Sequence, residues 1–87
     1  HKRFVITDIL LYANKNVGAS DATVELYEAS SDSATVVDKS IFLAEMLKQT
    51  PRDLNGLNLI VTEGKWVNVK TNDNTIFCTI MGYYIKA

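Results

Sequence analysis

The sequence predicts an all-β fold, a small antiparallel β-sandwich or jelly roll, with residues 1–87 forming one domain. Three observations predict it. Apolar and polar residues alternate with period two in several short stretches, which places successive side chains on opposite faces of a strand. Turn residues recur between these stretches, giving roughly six to eight short strands. The chain has 87 residues, 47% hydrophobic and 22% charged, which is material for a single core.

Arg3–Asn14 is a long first strand rich in Ile, Leu, Val and Phe. Strict alternation places Phe4, Ile6, Leu10 and Tyr12 on one face and Val5, Ile9 and Leu11 on the other. Lys15–Asp21 reads as a loop. Ala22–Glu28 alternates cleanly, with Ala22, Val24 and Leu26 opposite Thr23, Glu25 and Tyr27. A second loop spans Ser30–Ser33.

Val36–Val37 and Ile41–Met46 are assigned as strand, with Ile41, Leu43 and Leu47 on one face. Ile41–Lys48 also contains strong helix formers behind a capping Ser40, so a turn of helix before Pro51 stays open. Leu57, Leu59 and Val61 share a face of the next strand. Glu63-Gly64 then turns the chain into Trp66–Lys70, with Val67 and Val69 inward and Asn68 and Lys70 outward. Asn72-Asp73-Asn74 leads into Thr75–Ile85. These last three strands read as an antiparallel meander.

Two strands have no polar face. On Thr75–Ile85, Ile76, Cys78, Ile80, Gly82 and Tyr84 oppose Phe77, Thr79, Met81, Tyr83 and Ile85, and both rows are largely apolar. Each sheet of a sandwich has only one inner face, so the surplus needs another cover. Self-association is the expected cover, through Phe77, Met81, Tyr83 and Ile85 with Ile9 and Leu11 of the first strand. Burying four such side chains is worth on the order of 6–10 kcal/mol before association costs. The alternative cover is a loop, or the Ile41–Leu47 segment, folded over the second face.

Nine Lys and Arg against ten Asp and Glu leave a formal charge of −1, which argues against a nucleic-acid partner. Ile9–Ala13 is the longest apolar run and is too short to cross a bilayer. One Cys and one His provide neither an internal disulfide nor a zinc site, and no catalytic constellation or cofactor motif is present. Cys78, in mid-strand among apolar residues, reads as a buried inert thiol. Asp53-Leu54-Asn55-Gly56 and Asn72-Asp73-Asn74 lack the spacing of a calcium loop and read as turns. Nothing places Glu25 and Glu28 across a cleft as a glycosidase pair would require. Trp66 and Tyr27, with Tyr12 and Tyr83, are the candidate ligand-binding aromatics, as a sugar-stacking platform; packing is the commoner use of such residues.

Gly56-Leu57-Asn58-Leu59, Glu63-Gly64-Lys65-Trp66-Val67-Asn68-Val69 and Thr79-Ile80-Met81-Gly82-Tyr83 follow one another along the chain. Ile6-Thr7-Asp8-Ile9-Leu10 and Ala22-Thr23-Val24-Glu25-Leu26-Tyr27 precede them. This layout resembles small jelly-roll structural proteins of tailed bacteriophages. The resemblance implies a non-enzymatic virion component, a capsid decoration protein or a tail or fibre element. It further implies a symmetric homo-oligomer, a trimer first, docked on a major capsid or tail protein. The alternative function is a carbohydrate- or receptor-binding β-sandwich module.

Overall fold

A computed structural model describes residues 2–13, 22–46, 51–72 and 76–86, and these form seven strands in two antiparallel sheets. The strands are β1 (Lys2–Ala13), β2 (Ala22–Ala29), β3 (Lys39–Met46), β4 (Arg52–Leu54), β5 (Leu59–Ile60), β6 (Trp66–Thr71) and β7 (Ile76–Lys86). In the first sheet β1 pairs with β7 along its whole length; its other edge is shared by β4 and β5 in succession. The second sheet has the order β3-β2-β6. The sheets pack together as a small sandwich around Ile6, Ile9 and Leu11 of β1, Val24 and Leu26 of β2, Ala44 and Val61.

A β-bulge decides which side chains of β1 enter that core. The β1–β7 register shifts between Ile6 and Asp8, so Thr7 is an extra residue and the alternation changes phase. Phe4 and Ile6 point inward before the bulge, and Ile9 and Leu11 after it. Strict alternation had split these residues between two faces. Ile9 and Leu11, expected at an interface, are instead fully buried in the core, and Leu10 and Tyr12 take the outer face.

Gly82 occupies the position opposite Ile6, beside this bulge. A Cβ there would overlap the Val5 carbonyl oxygen and stand 2.8 Å from Phe4 Cζ. Only glycine permits so close an approach of the two backbones.

A second bulge, between Leu26 and Tyr27 in the β2–β3 register, acts on β3. Ile41, Phe42 and Ala44 pack on the core, and Leu43 is exposed rather than sharing a face with Ile41. Lys39–Met46 is strand throughout, which settles Ile41–Met46 against a helix; Leu47 and Lys48 lie outside the described residues. Tertiary pairing with β2 outweighs the helix propensity of Leu, Glu and Met here. Val36–Val37 is not strand, and Val36 is well exposed in the loop before β3.

The expected meander does not form. β5 and β7 both pair with β1 in the first sheet, and β6 between them pairs with β2 in the second. Turn chemistry marks where a strand ends but not which sheet receives the next one. Gly64 does adopt the turn conformation expected of it, with φ 80° and the Lys65 N–H donating to the Thr62 carbonyl (3.1 Å). The Asp53-Leu54 part of the expected Asp53–Gly56 turn is β4, and the turn itself falls at Asn55-Gly56, where Gly56 has φ 68°. The loop expected at Lys15–Asp21 lies outside the described residues.

Candidate functional site

The outward face of the first sheet is apolar over most of its length. Directly opposed residues in an antiparallel pair share a face. The β1–β7 register therefore places Tyr12 beside Phe77, Leu10 beside Thr79, Asp8 beside Met81, Val5 beside Tyr83 and Arg3 beside Ile85. Ile60 of β5 adjoins Val5 from the other side. Val5 is buried although it points outward, because Tyr83 and Ile60 flank it. Tyr12, Ile60, Phe77, Met81 and Tyr83 are between 41% and 57% exposed, and Ile85 is half-buried. Four of the six residues expected at an interface, Phe77, Met81, Tyr83 and Ile85, thus share one outer face. Ile9 and Leu11 do not, and Leu10, Tyr12 and Ile60 stand there in their place.

Polar groups border this face. The Thr7 hydroxyl lies 2.7 Å from Asp8 Oδ2 and 3.2 Å from the Met81 carbonyl. The Asn55 amide, oriented by its partners, donates to Asp8 Oδ1 (3.0 Å) and Asp53 Oδ1 (3.1 Å). An amide bridging two carboxylates fits a turn at Asn55-Gly56 rather than a calcium loop.

The outer face of the second sheet is covered by its own chain around Tyr27. The loop from Ser30 to Val36 lies over Tyr27, whose hydroxyl donates to the Ala34 carbonyl (2.8 Å). Asn68 Nδ2 donates to the carbonyls of Ser31 (2.9 Å) and Ala34 (3.0 Å), and Lys70 Nζ donates to that of Thr35 (2.8 Å). The same ammonium stands 5.0 Å from the centroid of the Tyr27 ring. Tyr27 is left 3% exposed and has no free ring face for a sugar. The expected platform does not assemble, because Tyr12 and Tyr83 belong to the outer face of the other sheet. Asn68 and Lys70, correctly placed outward, were the available signal that something polar would lie across Tyr27.

Trp66 remains 53% exposed. It borders a recess of about 240 Å³ with Lys2, Arg3, Phe4, Lys65 and Tyr84. Lys65 is held by Asp38 at 2.8 Å, and Phe4 and Tyr84 meet edge-on with centroids 5.2 Å apart.

Sequence reasoning missed the burial of Glu28. Its Oε2 accepts the Thr62 N–H (2.9 Å), and its carbonyl accepts the Asp38 N–H (2.9 Å). It lines a recess of about 350 Å³ with Ile6, Lys39, Ser40, Asn58 and Ile60. Glu25, three positions earlier, points to the opposite face of β2, so the two carboxylates do not face each other. Cys78 packs against the core, and burial raises its thiol above the usual 9.0. Among the described residues no group of three or more His, Cys, Asp or Glu could hold a metal ion, and no helix is long and apolar enough to cross a membrane.

No protein-family model, curated protein or solved structure matches the chain.

Proposed function

We propose that this chain is a non-enzymatic structural protein that self-associates through the outer face of its first sheet and docks on a larger assembly. The observation that carries this is the single apolar face formed by Tyr12, Ile60, Phe77, Met81 and Tyr83. Aromatic residues and Met are the types enriched at protein interfaces. The layout described above directs the larger assembly to a virion, as a capsid decoration or a tail or fibre element.

The half-burial of these side chains limits the energy available. Full burial of such a residue is worth about 1.5–3 kcal/mol, so completing the burial of each contributes about 1 kcal/mol. Five from each of two copies give about 10 kcal/mol, which lies within the roughly 4–15 kcal/mol that association costs and leaves little surplus. The face therefore sets where copies meet and needs a second contact to hold them. The test is Met81→Asp, which places a carboxylate on this face. Its soluble protein should have a lower solution mass than the parent at equal concentration. An unchanged oligomeric mass would count against the face.

A second reading, a carbohydrate- or receptor-binding module, is favoured by one observation: Trp66 stands exposed at the margin of an aromatic and basic recess. That reading predicts a change in Trp66 fluorescence on titration with glycans, and a flat response across a broad panel removes it.

A further inference from the structure

We propose that β7 pairs antiparallel with β7 of a second copy across a two-fold axis at Met81, joining the two first sheets into one. This rests on the self-association reading and specifies the contact that holds the copies.

The direction of the backbone groups is the first support. Val61 N–H donates to the Phe4 carbonyl (2.9 Å), so Phe4 turns its backbone groups toward the β5 side and Val5 turns its own toward β7. Val5 opposes Tyr83, and the Met81 carbonyl lies on the β1 side, 3.2 Å from the Thr7 hydroxyl. The odd-numbered residues of β7 are thus bonded to β1. Ile76, Cys78, Ile80, Gly82 and Tyr84 direct their N–H and C=O groups to the other edge. Among the described residues no strand pairs with that edge.

The second support is composition. Long edge strands are normally guarded by charge, proline or a bulge. From Ile76 to Ile85 there is neither a charged residue nor a proline, and the β7 register against β1 is shifted only at Thr7, on the partner strand. Lys86 is the one charge on the strand. An edge this long and unguarded fits a strand that is paired in use.

Self-complementarity selects a second copy as the partner. Centring the pairing on Met81 engages all 11 residues of β7. Phe77 then opposes Ile85 of the second copy, Thr79 opposes Tyr83, and Met81 opposes Met81 on the apolar face. Ile80 opposes Gly82 and Cys78 opposes Tyr84 as hydrogen-bonded pairs, which their outward backbone groups require. The two Lys86 residues lie at opposite ends, about 34 Å apart at 3.4 Å per residue. From strand spacing and rise, one outer face covers roughly 500 Å². The joined sheet doubles it to about 1,000 Å², a continuous apolar face that the edge pairing itself leaves open for the larger assembly.

Single-cysteine chains test the register. In a Cys78→Ser background, Met81→Cys puts two thiols face to face in a non-hydrogen-bonded pair, with Cβ atoms about 4.5–5.5 Å apart, near disulfide reach. Phe77→Cys puts them about 27 Å apart. Each variant is first confirmed to keep the β-sheet circular dichroism of the parent, and its mass is measured under reducing conditions. It is then oxidised with diamide and resolved on a non-reducing gel. Met81→Cys should convert to a covalent dimer and Phe77→Cys should stay uncrosslinked. Thr79→Cys/Tyr83→Cys, one row out from the axis, should crosslink as well. Equal crosslinking of Phe77→Cys and Met81→Cys, or an oligomeric mass with no crosslink in either Met81→Cys or the double variant, would overturn the edge pairing while leaving self-association intact. A monomeric mass under reducing conditions would overturn both.

Discussion

Gly82→Ala tests whether the β1 bulge and the β7 strand are built as one unit. The new Cβ would overlap the Val5 carbonyl oxygen and press on Phe4 Cζ at 2.8 Å. A flexible side chain could swing away, but the Val5 carbonyl belongs to a strand held by β7 on one side and β5 on the other. Relief therefore requires the two backbones to separate beside Thr7. Overpacking costs of this kind run to about 3 kcal/mol, and the lower entropy of an unfolded alanine chain offsets only about 0.4–1 kcal/mol. A net loss of about 2 kcal/mol follows, which in a domain of this size lowers Tm by roughly 8–16 °C. Urea and thermal unfolding followed by circular dichroism give both quantities. Gly64→Ala is the control: open space surrounds its Cβ, and only the φ of 80° is strained, for a cost of about 1–2 kcal/mol before the same unfolded-state offset. If Gly82→Ala unfolds within about 0.5 kcal/mol of the parent, the range of an ordinary surface substitution, the close approach does not constrain the fold.

Other expectations follow from the covered face and the buried groups. Tyr27→Phe loses the hydroxyl bond to the Ala34 carbonyl and should cost about 1 kcal/mol in urea unfolding, because Asn68 still satisfies that carbonyl. Asn68→Ala removes two bonds to the covering loop and should cost about 2 kcal/mol and raise the accessibility of Tyr27 to solvent perturbation. Burial raises the Cys78 thiol above 9.0, so the native state holds its proton more tightly than the unfolded chain does. Its contribution to stability is full below the unfolded pKa and is lost as pH rises through the native one. Parent minus Cys78→Val unfolding free energies should fall as pH rises past 9.0, and the native thiol should react slowly with Ellman's reagent at neutral pH.

The sandwich was legible because period-two patterns and turn residues report directly on strand and loop. Val24 and Leu26 inward, Asn68 and Lys70 outward, and the turn at Gly64 all follow from that alone. The two bulges were not legible, since an extra residue such as Thr7 looks like any other member of an alternating strand. That one residue moved Ile9 and Leu11 from the expected interface into the core and brought Leu10 and Tyr12 to the surface. Gly82, in an otherwise apolar strand, was the trace the first bulge left in the sequence. Sheet membership was hidden for a different reason. The pattern of β5, β6 and β7 fits a hairpin or a crossing between sheets equally well, and partner choice depends on packing across the core. The apolar surplus on β7 is visible in the structure as the exposed Phe77, Met81 and Tyr83. The loop over Tyr27 shows that a folded-back segment does cover part of an outer face here, on the second sheet.

The most direct test of self-association is the solution mass of the full chain, by light scattering after size exclusion, over a range of concentrations. Burial of the outer face and pairing at the β7 edge predict a mass of at least twice 9.7 kDa, approached as concentration rises. A mass of 9.7 kDa at every concentration would contradict it.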